Sequence, residues 1–92
     1  MYAAIRRYKI AKPKEFNDKV NESFINVIRR VPGFIQYMAI DEGDGWWASI
    51  SVFETAQAMA MSDRVAADWV KQHAAKLVRG PPEITEGPVV VK

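Results

Sequence analysis

His73 is the only histidine in this chain of 92 residues, and the chain contains no cysteine. Proton chemistry near neutral pH therefore has one side chain with an ordinary pKa of about 6.5. Thiolate nucleophiles, disulfides and sulfur-based zinc sites are excluded. His73 follows Trp69 by four positions, an interval that puts both side chains on one helix face. It is a candidate to position a proton over an aromatic wall or to coordinate a haem iron, and equally a half-buried histidine bordering a core. Arg6 and Arg7 are consecutive in a strand, so they point to opposite sides of it. Each needs an acidic partner or an anionic ligand, because a buried unpaired charge is costly; Glu54, Glu83 and Glu86 are candidate internal partners. Tyr8, Trp46, Trp47 and Trp69 are candidates to line a pocket for a flat aromatic molecule. At most one of Trp46 and Trp47 can share that pocket with Trp69.

Other chemistries find little support. Asp41, Glu42 and Asp44 lack the further ligands and the distal bidentate acid of a calcium loop, so they are expected to form a solvated hairpin tip and no metal site. The neighbouring glycines join strand to strand, and three acids beside them would repel phosphate. No Ser-His-Asp order is legible, and no pair of carboxylates is held together by spacing.

The elements that must position these residues follow from periodicity. Tyr2 to Ile10 alternates as a strand. Pro13 suits a first helical turn, and Phe16, Val20, Phe24, Val27, Ile28 and Val31 make one apolar stripe, predicting a helix over Pro13 to Arg30. Pro32-Gly33 ends it. Phe34 to Ile40 and Trp46 to Glu54 read as strands joined in a hairpin. A second helix is expected over Thr55 to Val78, with Met59, Ala66, Trp69, Val70, His73 and Leu77 inward and a break near Ser62, which could cap a fresh turn. Gly80-Pro81-Pro82 stops it. Glu83 to Val91 is a last strand, bent at Gly87-Pro88.

The order β-α-β-β-α-β is the ferredoxin-like plan, an α+β fold of one domain over residues 1–92. It predicts a four-stranded antiparallel sheet in the order 4-1-3-2 with two helices on one face. Trp46 or Trp47, Phe53, Tyr37 or Met38 and a terminal valine are then expected on the uncovered face. An apolar patch of that kind points to a homodimer packing sheet against sheet.

Composition narrows the partners. Residues 1–30 carry eight Lys or Arg against three acids, a balance of +5, and the remainder balances at −3. Acids interrupt the bases within the first helix, so an ordinary solvated surface is expected in place of a nucleic-acid interface. No stretch approaches the roughly 20 apolar residues of a membrane span, Met1 to Arg7 do not resemble a secretory signal, and a cytoplasmic location is expected.

Pro32-Gly33-Phe34, Ser49-Ile50-Ser51-Val52-Phe53-Glu54-Thr55 and Ala66-Ala67-Asp68-Trp69-Val70 resemble the antibiotic-biosynthesis-monooxygenase-like group of dimeric α/β-barrel proteins, nearest its small uncharacterised bacterial members. The resemblance covers nearly the whole chain in element order and implies a dimeric α/β barrel. It also implies a possible cofactor-independent oxidation of a phenol or quinol, with no cofactor, in which His73 acts as base and Arg6 or Arg7 stabilises negative charge. A non-enzymatic binding or structural dimer is the alternative. The haem-degrading members carry a first-strand asparagine where this chain has Arg6 and Arg7, and a different tryptophan–histidine spacing, so haem degradation is not implied.

Overall fold

Strand β1, Tyr2–Lys9, is the strand on which the others align. The computed structural model describes all residues, Met1–Lys92. β1 lies between β3 (Trp46–Phe53) and β4 (Glu83–Pro88), with β2 (Phe34–Gly43) beyond β3, giving the antiparallel order β2-β3-β1-β4. Both helices cover one face. The predicted order of elements and strands is therefore found, but the expected barrel is not. β2 and β4 are the two ends of the sheet and do not pair with each other. Closure around filled side chains takes about eight strands, and four leave an open, twisted sheet.

Alternation along β1 and β3 sets the two faces. Ala4, Arg6 and Tyr8 on β1, and Trp47, Ser49, Ser51 and Phe53 on β3, are buried beneath the helices. Ile5, Arg7, Trp46, Ala48, Ile50 and Met38 lie on the other side. Phe53 thus faces inward, contrary to its expected place on the bare face, because it shares the parity of Trp47; of Tyr37 and Met38, it is Met38 that lies on the bare face. The terminal Val90 and Val91 are exposed beyond β4.

The first helix, α1, is an α-helical Pro13–Lys19 that continues through a π-helical Val20–Phe24 into Ile25–Ile28. Its buried residues Phe16, Val20, Phe24 and Ile28 recur at strict four-residue intervals. At 3.6 residues per turn such a stripe drifts by about 40° per step; a π segment, wound wider, brings it back over the sheet. The second helix, α2, runs over Ala56–Trp69 and continues as a π-helical Val70–Ala74. Thr55 caps it, its Oγ1 accepting from the Ala58 amide at 3.1 Å. The expected break at Ser62 is absent. The Ser62 hydroxyl donates to the Met59 carbonyl at 2.6 Å, so the residue sits inside an unbroken helix and caps nothing. Neither helix is long and apolar enough to cross a membrane.

The β2–β3 hairpin closes through Asp44 and Gly45, both at positive φ (55° and 84°), as a two-residue turn matched to strand twist requires. A bulge between Asp41 and Gly43 precedes it. The two layers are held by a run of aromatic contacts: Phe16 meets Trp47 edge-on at 4.7 Å and Trp69 at 6.1 Å, while Phe24 meets Trp69 at 5.2 Å and Tyr37 at 5.4 Å. Phe16→Ala should remove the ring common to two of these contacts and cost about 3–5 kcal/mol. Since folded proteins rest on only about 5–15 kcal/mol, urea denaturation should find that variant near the limit of folding.

Candidate functional site

Arg6 projects from the middle of β1 into the space between sheet and helices, where only 2% of its surface stays exposed. Room for it exists because its neighbours on β3 are small: Ser49 is its cross-strand partner, and Ser51 lies one inward position further on. Nη2 donates to Asp63 Oδ1 at 2.6 Å and to Ser62 Oγ at 2.7 Å, and Nη1 donates to Ser51 Oγ at 3.3 Å. Nε is buried with no partner. The countercharge expected from Glu54, Glu83 or Glu86 is supplied to Arg6 by Asp63, about two turns into α2.

Glu86 enters the same cluster from β4. Hydrogen bonding to Asp63 holds its carboxyl above the usual range, helped by burial and the Asp63 charge and opposed by Arg6. Tyr8 and Tyr37 border Arg6 as well. Burial pushes both phenols up, Tyr37 well above its ordinary value despite a hydrogen bond to Ser49 that lowers it. Both therefore remain protonated donors through neutral pH.

Around Arg6 the walls are aromatic: Tyr8, Phe16, Phe24, Tyr37, Trp47 and Trp69. The indole N–H groups are tied outward, Trp47 to Asn17 Oδ1 and Trp69 to Ser23 Oγ, each at 2.7 Å. The space left between these walls, about 10 Å³ for the centre of a water-sized sphere, holds one water molecule. Two surface clefts flank it. One of about 320 Å³, between α1 and β2, shares the walls Val20, Tyr37 and Trp47. The other, of about 190 Å³ between α2 and β4, shares Arg6, Tyr8, Ala66 and Val70 and adds Asp63 and Ile84.

Of the residues singled out from sequence, Arg6, Tyr8, Trp47 and Trp69 come together here. Arg7 and Trp46 lie across the sheet. The Arg7 guanidinium stacks 4.0 Å above the Trp46 ring, its Nε donates to both Glu42 oxygens at 3.1 and 2.9 Å, and Nη1 reaches Glu83 at 3.5 Å. Glu42, expected at a solvated tip, is turned onto Arg7 by the β2 bulge. His73 is exposed on the outer side of α2, its ring 5.7 Å from that of Trp69, and borders a surface groove with Glu15 and Lys19. Its predicted inward position is lost because the π segment rotates the helix at Val70. Asp63, Ser62 and Tyr37 are site residues that the sequence does not single out as such. The available signal was the Ser49–Ser51 pair between Trp47 and Phe53, two small polar residues on an inward strand face where a long polar side chain fits. No three His, Cys, Asp or Glu side chains gather as a metal ion would need.

No protein-family model matches the chain, and no curated protein matches its sequence. Solved structures match its fold. The similar structures share its ferredoxin-like arrangement, and one of them is a putative antibiotic biosynthesis monooxygenase from Nitrosomonas europaea, at 14% identity and a TM-score of 0.77 over 99% of this chain and 100% of that one. A Nitrosomonas europaea protein of unknown function superposes with a TM-score of 0.80 at 18% identity, over 99% of this chain and 90% of that one. SnoaB, a cofactor-independent oxygenase from Streptomyces nogalater, gives 0.75 at 18% identity over 99% and 94%. A Streptomyces coelicolor monooxygenase crystallised with nanaomycin D gives 0.70 at 18% identity over 99% and 92%. Several of the similar folds are thus oxygenases, and at these identities the likeness is one of fold.

The carboxyl cluster has a consequence for stability. Glu86 holds its proton more tightly in the folded protein than in the unfolded chain, so its contribution is full at low pH and fades as pH rises through the folded pKa. Glu86→Gln should therefore match the native protein in acid and exceed it in thermal stability at neutral pH, as melting curves across that range would register.

Proposed function

We propose that the protein oxidises a small phenol or quinol with dioxygen and no cofactor, in the aromatic chamber around Arg6. The observation that supports this most directly is the Arg6 guanidinium, buried among aromatic rings with its Nε–H unpaired. A donor of that kind lowers the energy of a phenolate that forms beside it. The deprotonated ring is electron-rich enough to reduce dioxygen itself: one oxygen atom enters the ring, the other leaves as water, and a phenol becomes a quinone. Tyr8, Trp47 and Trp69 would pack against the ring faces. The oxygenases of similar fold make the chemistry a natural one for this scaffold.

Small aromatic ligands must displace a wall to enter, since the narrow chamber has room only for a water. That observation favours a second class, a dimer whose interior is packing alone. Oxygen uptake with a panel of dihydroxyaromatic compounds separates the two. Turnover with at least one compound, reduced about 10²-fold or more in Arg6→Met, supports an oxygenase; no uptake across the panel and no ligand-induced quenching of tryptophan fluorescence supports the packing dimer. His73→Ala, made in parallel, reads the role of the lone histidine, and unchanged turnover removes it as the base.

The bare sheet face supports a homodimer. Ile5, Met38 and Ile40 are 41%, 52% and 62% exposed there and border an apolar hollow with Ala48 and Ile50. A second copy of the same face would bury them in an interface near the standard size of about 1,600 Å², with the Arg7–Trp46 stack inside it. Sedimentation at micromolar concentration should give a dimer for the native protein and a folded monomer for Ile50→Glu; a native monomer would end the proposal.

A further inference from the structure

We propose that Asp63, backed by Glu86, is the proton acceptor of this site, and that the substrate hydroxyl meets it in the cleft between α2 and β4. The inference rests on the phenol-oxidising function proposed above and supplies the base that function needs. Phenol oxidation begins with heterolysis of the O–H bond: the electron pair stays on oxygen and the proton must go to a group in reach. A hydroxyl is recognised by a donor and an acceptor side by side, since its oxygen accepts while its hydrogen is given away.

The α2–β4 cleft has that pair. Arg6 and Asp63 both line it, with Tyr8, Ala66, Val70 and Ile84 as its apolar and aromatic walls. Arg6 brings a buried Nε–H that nothing in the protein accepts. Asp63 gives only Oδ1 to Arg6, at 2.6 Å, and its side chain keeps 27% of its surface exposed at the cleft. Glu86 comes from the neighbouring strand: it stands opposite Ala4, on the helix side of β4. The charged and titratable groups facing the pair are Arg6 and Tyr8 from β1, Asp63 from α2 and Glu86 from β4.

Glu86, on the helix side of β4 opposite Ala4, feels the Asp63 charge, and neighbouring carboxyls favour sharing one proton because like charges repel. A proton arriving from a phenol would be delocalised over Asp63 and Glu86, while the phenolate inherits Arg6 as its counterion. The ion pair Arg6–Asp63 is thereby exchanged for Arg6–phenolate with a neutral acid beside it, and the net charge of the chamber does not change. A neutral phenol or quinol therefore fits the site better than a carboxylate, whose charge would arrive uncompensated beside Asp63. His73 lies outside this cleft.

The test uses 4-nitrophenol, whose phenolate is coloured, at a pH where the free compound is mostly protonated. Titrated into the native protein it should develop the phenolate band, and carbon-13 NMR should show the Asp63–Glu86 carboxyl signals move to protonated positions in step, assigned from Asp63→Asn and Glu86→Gln. A phenolate band with unmoved carboxyl signals, or no band and no carboxyl change, overturns the inference without reference to turnover. Where a dihydroxyaromatic substrate is turned over, Asp63→Asn should lower kcat/KM for catechol about 10²–10⁴-fold and spare 4-nitrocatechol, which arrives already ionised. Equal losses for both compounds indicate a merely structural role. Should Asp63→Asn fail to fold, Glu86→Gln carries the kinetic test by moving the acidic limb of the pH profile to lower pH; an unmoved limb counts against the pair. Oxygen uptake that persists unchanged in both variants would remove the base and leave the oxygenase standing.

Discussion

The Arg6 guanidinium cannot lie between sheet and helices unless α2 is docked over it. Taking an ion out of water costs several kcal/mol even after relaxation, and β1 and β3 return only the Ser51 hydroxyl. The remaining partners, Ser62 and Asp63, come from the helix. Position and rotation of α2 are thereby tied to one side chain of the central strand. Thr55 fixes where the helix starts, and Ser62 and Asp63 follow on the face turned to the sheet. A packed hydrophobe at position 6 would hold the two layers together at least as well, since buried ion pairs seldom outdo apolar packing. What a hydrophobe could not provide is a fixed positive charge with a spare N–H among aromatic rings.

Arg7 solves the opposite problem. On the bare face of the single chain its side chain stays 37% exposed, so burial is not its cost; its reach across the twisted sheet is what matters. Arg7 reaches Glu42 from β2 and Glu83 from β4 while stacked on Trp46 of β3, so one residue of β1 touches all the other strands. Exposed pairs of this type each contribute at most about 1 kcal/mol, and their value here lies in spanning the sheet's width. The double tryptophan is divided in the same manner. Trp47 joins the interior aromatic run and Trp46 lies under the arginine outside, which is why consecutive identical residues have unrelated surroundings.

Fold was more legible in this sequence than site because its signals are local. Two apolar stripes, a Pro-Gly stop, an Asp-Gly turn and a two-faced strand each act within a few residues, and together they allow few topologies besides the one found. Barrel closure was a different kind of expectation. It depended on resemblance, and the strand count does not supply it. The Arg6–Asp63 pair is separated by 57 positions, and nothing in either neighbourhood names the other. His73 illustrates the sensitivity of helix-face arguments: a single wide turn at Val70 moves a residue four positions from a buried tryptophan out to the surface. The π segments themselves leave a trace, the strict four-residue spacing of Phe16, Val20, Phe24 and Ile28, which an ideal helix cannot keep on one side.

Those same segments border the narrow chamber around Arg6. Val20 and Val70 each begin a π-helical stretch, and each is a wall between the chamber and one of its flanking clefts. A π segment is a bulge within an α-helix and is frequent at functional sites. Moving a side chain off its preferred rotamer costs about 0.5–1.5 kcal/mol. Burying the apolar surface of an aromatic ring yields more than that, at about 25 cal/mol per Å². These magnitudes favour widening the narrow chamber over leaving an aromatic ring in water. The α2–β4 side is the easier to open, because Ile84 on the edge strand is half exposed there, whereas Trp47 on the other side is fastened to Asn17.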